Sequence, residues 1–153
     1  MPAYLSKKEA KLKISKYCAY QERSQAEVRD KLYSLNIYGD DAEEIISELI
    51  TENFINEQRF ADIYAGSKFR LKKWGKIKIK NHLIEKKVSE RCIREALEKL
   101  EEADYLTTAR ELISGKRKSI HLEDPYQINY KIYRYMISKG YEPEVIWTIL
   151  KSF

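Results

Sequence analysis

Apolar residues recur along the chain at steps of four, a pattern that predicts short amphipathic helices. Three times a helix-starting polar residue is followed by Ile four positions later and Leu eight positions later. The three sets are Asp41/Ile45/Leu49, Ser89/Ile93/Leu97 and Glu142/Ile146/Leu150. They lie about 50 residues apart, a spacing typical of helical-repeat proteins.

Two further helices precede each of these segments. The start signals of the middle helices are Ser24, Gly75 and Asp124. We expect the leading helix to begin after Asn56 in the second unit and after Thr107 or Thr108 in the third. The alternation in Lys76-Ile77-Lys78-Ile79-Lys80 is strand-like but short, and helical spacing continues after it, so we predict a helix there.

The pattern therefore predicts an all-α protein of three tandem three-helix units, each containing a helix–turn–helix, in an elongated, curved array. The expected units are residues 1–50, 51–100 and 101–153. Five Gly and three Pro are too few for a turn-rich β fold.

Composition points to a soluble protein of the cytoplasm. No apolar run approaches a membrane span, and the segment from Met1 to Lys8 lacks the apolar centre of a signal peptide. Cys18 and Cys92 stand alone in helical patterns, as expected of reduced thiols. We expect a monomer.

Charge is strongly segregated along the chain. Residues 66–94 contain eleven Lys and Arg against two acids, a net charge of +9, whereas residues 40–62 contain eight acids against Arg59 alone, a net charge of −7. Such segregation creates a field that attracts a polyanion to one side. The alternative is that the charges interleave in space on solvated helix faces.

The basic segment is the strongest functional candidate. We expect it to contact nucleic-acid phosphates or an acidic protein surface through Lys68, Arg70, Lys72, Lys73, Lys76, Lys78, Lys80 and Lys87. In particular, Lys76, Lys80 and Lys87 are expected on one helix flank. No aromatic or Asn/Gln set accompanies them in a base-reading arrangement, so we predict binding without sequence readout.

Other chemistry has little support in the sequence. It contains no phosphate-binding glycine loop, zinc motif or serine elbow, and we expect no catalytic residue, metal or cofactor. We interpret His82 as a packing or surface residue. The acids Glu101, Glu102 and Asp104 are expected at a solvated junction, and the tyrosines of the third unit mainly in core and inter-unit contacts. Among the three predicted second helices of a helix–turn–helix, only 89–97 is electrostatically suited to read a major groove.

Three ordered segments resemble one family. The middle unit contains Asn53-Phe54-Ile55-Asn56-Glu57-Gln58-Arg59-Phe60-Ala61 and, later, Trp74-Gly75. The first unit contains Arg23-Ser24-x-x-Glu27-Val28-x-x-Lys31-Leu32. The third unit contains Lys139-Gly140-Tyr141 before Glu144-Val145-Ile146. Together they resemble the RecX regulatory proteins over nearly the whole chain. Asn53 and Lys87 stand where that family prefers Gly, and Asn56 where it prefers Asp.

This resemblance implies a modulator of the RecA recombinase. Proteins of this kind lie in the groove of the RecA filament on single-stranded DNA. They reduce RecA ATP hydrolysis, strand exchange and co-protease activity, and so affect recombination, DNA repair and the SOS response. The implied partners are the RecA filament and the phosphate backbone of single-stranded DNA, and no catalytic residue is implied. An alternative from the residues alone is a sequence-independent DNA-binding helical module without a filament partner.

Overall fold

The computed structural model describes residues 5–153. We predict that the segment from Met1 to Lys8 is not a signal peptide, and residues 1–4 of that segment lie outside the described residues. The described chain forms nine helices and no strand. The helices are α1 (Lys7–Tyr20), α2 (Gln25–Ser34), α3 (Gly39–Thr51), α4 (Glu57–Lys72), α5 (Lys76–Glu85), α6 (Glu90–Glu98), α7 (Glu102–Ser119), α8 (Pro125–Lys139) and α9 (Pro143–Leu150). The all-α prediction is confirmed, and Lys76–Lys80 is helical.

Polar side chains begin most of the predicted helices. Ser24, Asn56, Ser89 and Asp124 each accept a hydrogen bond from a backbone N–H of the first turn of the helix they precede. Such a bond satisfies a donor that has no partner inside the helix. The chain therefore enters these helices as its sequence indicates.

Two predicted helix starts were wrong. Helix α3 begins at Gly39, so Asp41 lies in its first turn, where a carboxylate complements the helix dipole instead of capping. Helix α7 begins at Glu102 rather than at Thr107 or Thr108. The extra turn buries Tyr105, and tertiary packing of that ring outweighs the local preference of Thr for a helix start.

The three repeats do not share one core. The first repeat has its own cluster around Ile14, Leu32, Ile45 and Leu49. The second and third repeats bury their apolar faces in a single continuous cluster. They therefore form one packed body, against which the first repeat is placed by other contacts.

Backbone atoms join the second repeat to the third. The Gly75 N–H donates to the carbonyl of Lys139 at 2.7 Å, and the Ile77 N–H donates to the carbonyl of Gly140 at 2.9 Å. Gly140 ends α8 with a φ of 94°, a left-handed conformation suited to glycine. The backbone segments at Gly75 and Gly140 approach so closely that a Cβ on Gly75 would lie within 3.0 Å of Gly140 backbone atoms. We call this contact the glycine seam.

Two buried tyrosines close the same junction. The rings of Tyr105 and Tyr141 stack with centroids 5.1 Å apart. The Tyr105 hydroxyl accepts from the Lys76 N–H at 2.9 Å and donates to Glu142, while the Tyr141 hydroxyl donates to the carbonyl of Lys73 at 3.0 Å. Burial raises the pKa of both phenols, so both remain neutral donors.

Ion pairs connect the first repeat to the second. Arg59 donates to Glu22 at 2.6 Å and Lys86 to Glu27 at 3.4 Å. These side chains are only partly buried, so each pair is worth little individually. The first junction thus lacks the continuous apolar core that the second junction has.

The array is extended. A compact monomer of 18.2 kDa exposes about 8,100 Å², whereas this chain exposes 9832 Å². The first repeat keeps its own core and meets the second repeat through partly buried ion pairs, which agrees with this excess. The unit boundaries at 50/51 and 100/101 remain a prediction.

The family's glycine preferences coincide with left-handed residues. Asn53 and Lys87 have φ values of 66° and 61°. Asn tolerates this conformation, but a Lys side chain is strained in it because its Cβ crowds the following carbonyl.

We expect Gly75→Ala to lower the free energy of unfolding by about 1–3 kcal/mol, because the added methyl forces the glycine seam apart. Gly115→Ala is the matched control, since Gly115 lies inside α7 with no atom near a Cβ. That change should raise stability by about 0.5–1 kcal/mol. Urea unfolding measures both values; equal effects would contradict the close approach.

Lys87→Gly should stabilise the protein by about 0.5–1 kcal/mol, because glycine adopts a φ near 61° without strain. As a control, Glu85→Gly at the end of α5 should destabilise by a similar amount. Thermal melts followed by circular dichroism distinguish the two. A loss of stability in Lys87→Gly would show that the Lys87 side chain contributes more than its backbone costs.

Candidate nucleic-acid interface

The basic residues of α5 lie on two different faces of the helix. Ile79 and Leu83 are fully buried and fix its orientation. Lys76 and Lys80, one turn apart, line a groove against α6. Lys78 is about 200° of helical rotation from Lys76, so it lies on the other side. The expected contact residues therefore do not form one continuous surface.

The first surface is the groove between α5 and α6, a cavity of about 630 Å³. Its apolar wall is formed by Ile84, Val88, Ile93 and Leu97. Ile84 is 51% exposed, which is unusual for an apolar residue inside a basic segment. The charged residues that line it are Lys76, Lys80, Arg94, Glu90 and Glu98. The groove can hold an apolar side chain flanked by acidic groups.

The second surface, which we call the Trp74 face, consists of Lys68, Trp74, Lys78 and His82. The Lys68 and Lys78 Nζ atoms lie 5.1 Å and 4.8 Å from the Trp74 ring centroid. The His82 ring packs on the indole with centroids 4.5 Å apart. His82 is thus the packing residue that the sequence predicted. Sequence reasoning missed Trp74 as an aromatic companion of the lysines.

A left-handed turn produces this arrangement. Lys73 ends α4 with a φ of 59°, and the Trp74 N–H donates back to the carbonyl of Lys68 at 3.3 Å. The Lys73 N–H also donates to the carbonyl of Phe69 at 3.0 Å, the bond of an αL motif, and the left-handed residue reverses the chain at the helix end. The indole is therefore held beside Lys68, and α5 supplies Lys78 and His82 one turn apart. The Trp-Gly pair after a basic helix was the available sequence signal.

The other candidates are dispersed. Arg70 and Lys73 line a shallow pocket of about 270 Å³ together with the acids Asp104 and Glu111 of α7. The carbonyl of Lys72 accepts from Lys139, and its side chain is exposed. The prediction that Lys76, Lys80 and Lys87 share one helix flank was wrong for Lys87. Helix α5 ends at Glu85, which leaves Lys87 in the turn before α6.

The acidic segment of the first repeat is largely neutralised. Glu43 accepts from Arg29 at 2.7 Å, which lowers the pKa of that carboxyl. Lys11 lies 3.1 Å from Glu48 and 2.9 Å from Glu52, and hydrogen bonding to these carboxylates raises the pKa of Lys11. The charges of this repeat therefore interleave in space, as the alternative interpretation held.

The basic segment of the second repeat behaves differently. Within residues 5–153, none of the eight candidate residues makes an ion pair. Their charge is uncompensated at short range. Several acids of the acidic segment are thus in ion pairs, whereas the eight basic candidates are not in ion pairs within residues 5–153.

The tyrosines of the third repeat are only partly core residues. Tyr141 is buried, and Tyr133 stacks on Trp147 with centroids 5.0 Å apart. Tyr126 and Tyr130, however, are 84% and 59% exposed, so for these two the expected packing role was wrong. The side of α8 that carries these two rings is therefore exposed.

Metal binding and thiol chemistry have no support in the described part of the chain. Residues 5–153 contain no cluster of three His, Cys, Asp or Glu side chains able to hold a metal ion. Cys18 is buried, and burial raises its pKa to about 11, so its thiol is a poor nucleophile. Over the same residues, no helix is both long enough and apolar enough to cross a membrane.

Comparison with known proteins agrees with the three-unit division of the fold. Family models described as the first, second and third three-helix domains of RecX match residues 10–49, 56–97 and 102–150. Proteins named "Regulatory protein RecX" from Bacillus cereus and Bacillus thuringiensis are each 27% identical over 143 residues. These matches include 94% of this chain but 53% of each relative, so the chain spans about half the length of the curated relatives it matches.

Solved structures agree with the fold. The crystal structure of RecX from Lactobacillus salivarius superposes with a TM-score of 0.89 at 25% identity, covering 95% of both chains. A second crystal structure of a regulatory protein RecX has a TM-score of 0.86 at 20% identity, covers 96% of this chain and 72% of its own, and supports the fold alone. Because all three domain models match in chain order and the fold agrees throughout, the chain belongs to the RecX family.

Proposed function

We propose that this protein binds the RecA–single-stranded DNA filament and inhibits RecA ATP hydrolysis, strand exchange and co-protease activity, and so modulates recombination, DNA repair and the SOS response. Membership of a family of regulatory proteins named RecX supports a regulatory role. The RecA partner is part of the proposal and follows from the resemblance.

The observation that carries the DNA component is the uncompensated charge of the second repeat. Lysine and arginine side chains without acidic partners attract phosphates and release the counterions condensed on the strand. The proposed contact residues are Lys68, Arg70, Lys72, Lys73, Lys76, Lys78, Lys80 and Lys87. They offer electrostatic contact and no catalytic group.

The α5–α6 groove supports a protein contact. The groove has an apolar wall, and its lining cations Lys76, Lys80 and Arg94 outnumber its acids Glu90 and Glu98, so it suits a partner surface that inserts one apolar side chain with acidic groups beside it. We assign this groove to the protein component of the filament. In this proposal RecA and DNA engage different surfaces of the same repeat.

The alternative is a sequence-independent DNA-binding helical module that needs no filament. The proposed protein acts as a monomer, without a cofactor, in the cytoplasm, where unpaired thiols such as Cys18 and Cys92 are stable. It is not an enzyme, so DNA incubated with it and magnesium or manganese should stay intact.

Adding this protein to RecA on single-stranded DNA should lower the rate of ATP hydrolysis in a concentration-dependent manner. The measurement is a coupled ATPase assay, together with anisotropy of labelled DNA with and without RecA. Binding to the filament should be tighter than binding to bare DNA. Equal affinity for both with unchanged ATPase would favour the alternative module instead.

Replacing Lys72, Lys73, Lys76 and Lys80 with Glu should abolish filament binding while the helical circular-dichroism signal is retained. The matched control reverses four exposed lysines elsewhere, Lys8, Lys13, Lys16 and Lys118, none of which is in an ion pair within residues 5–153. Both variants change the net charge equally, so a difference between them reports position. Equal losses would move the contact surface away from the second repeat.

Salt dependence tests the phosphate contacts separately. If four to six phosphates are neutralised, the log–log slope of affinity against salt for single-stranded DNA should be about −3 to −4. A slope near zero would remove DNA from the set of partners.

A further inference from the structure

The Trp74 face combines an aromatic ring with flanking cations in a way that phosphate contact alone does not require. Lys68 and Lys78 approach the same indole from two helices, α4 and α5. Lys68 also lies 5.4 Å from the centroid of the half-buried Tyr64 ring, and Lys86 lies 5.5 Å from it. Rings and ammonium groups therefore alternate from Tyr64 to Lys78.

We propose that the Trp74 indole is a stacking platform for an unpaired base of single-stranded nucleic acid, with Lys68 and Lys78 placed to hold the phosphates on either side. This inference rests on the proposed function and specifies its DNA component. The ligand class is a flexible single strand of any sequence, because every base presents an aromatic face.

The indole is oriented for this role before any ligand arrives. The left-handed turn at Lys73 fixes the backbone of Trp74, and the His82 ring supports one part of the indole at a centroid distance of 4.5 Å. Trp74 packs on the core of the second and third repeats and still keeps part of its surface open. A ring held in this way loses little conformational entropy when a base stacks on it.

The lysines are suited to exchange partners. In the free protein their ammonium groups lie near the ring as cation–π contacts, which are weak at exposed sites. A phosphate is a stronger partner for an ammonium group than an aromatic face is. Binding of a strand therefore frees the ring surface for the base and places both cations on the backbone.

Bases inside duplex DNA cannot use this platform, because both faces of each such base are already stacked. The same lysines can still contact duplex phosphates. The proposal thus separates two contributions: charge, which any nucleic acid receives, and stacking, which only an unpaired base receives.

The other aromatic surfaces lack this combination. Trp147 is 41% exposed and stacks on Tyr133, and within residues 5–153 no lysine or arginine lies over its ring. Trp147 is therefore a matched control for Trp74. Both tryptophans of the chain are partly exposed and packed on another ring, but within residues 5–153 cations flank Trp74 and not Trp147.

The first experiment compares an oligothymidylate with an abasic strand of the same length and phosphate count. The wild-type protein should bind the oligothymidylate about 5- to 100-fold more tightly. Trp74→Leu, which keeps an apolar side chain but removes the aromatic face, should lose that preference and bind the abasic strand as before. Trp147→Leu should behave like the wild type on both strands.

The second experiment uses intrinsic fluorescence, and its main arm keeps Trp74 in place, so that arm does not depend on the folding of a Trp74 variant. In Trp147→Phe, where Trp74 is the only tryptophan, oligothymidylate should quench the emission, whereas the abasic strand and a closed circular duplex should not. In Trp74→Phe, where Trp147 is the only reporter, no strand should quench.

The outcomes distinguish the inference from the proposed function. Equal wild-type affinity for both strands, or an equal loss on both in Trp74→Leu, overturns the stacking role while phosphate binding and RecA inhibition stand. Absence of binding to either strand, with no effect on RecA ATPase, overturns the proposed function and this inference with it.

Discussion

The close approach of Gly75 to Gly140 fixes the start of α5, the helix that carries Lys76, Lys78 and Lys80. Gly75 is the residue before α5, and its N–H bonds to the end of α8. Only a residue without a Cβ permits that distance. The start of α5 is therefore anchored to the third repeat through the backbone, a connection that does not depend on side-chain rotamers.

From this anchored start, helical geometry distributes the side chains. Ile79 enters the shared core, Lys76 and Lys80 turn to the α6 groove, and Lys78 turns to Trp74. Tyr105 reinforces the same point, because its hydroxyl accepts from the first N–H of α5 and its ring packs on Tyr141. The third repeat thus contributes to the candidate interface by holding α5 in place, without supplying its charges.

Electrostatic complementarity within the fold explains why only one of the two charged segments remains available for partners. Glu43, Glu44 and Glu48 of α3 pair with Arg29, Lys7 and Lys11 of the preceding helices, so much of the acidic charge of α3 is neutralised inside the first repeat. Helix α5 packs on α4 and α6, and none of these places a carboxylate within ion-pair distance of the eight candidates. The positive charge of these eight residues is therefore available to a polyanionic partner.

The sequence by itself determined the nine-helix, three-unit pattern, because steps of four and capping residues such as Ser24, Asn56 and Ser89 act within a few residues of each other. It also identified the basic segment and, through ordered motifs, the family. Only the tertiary structure decided which charges are neutralised, that Lys76 and Lys78 serve different surfaces, and that Trp74 stands between Lys68 and Lys78. The start of α7 was also decided by the tertiary structure, because burial of Tyr105 outweighed the helix-start signals at Thr107 and Thr108. Local patterns report interactions between neighbours in the chain, whereas ion pairing, burial and the gathering of side chains depend on how helices distant in sequence meet.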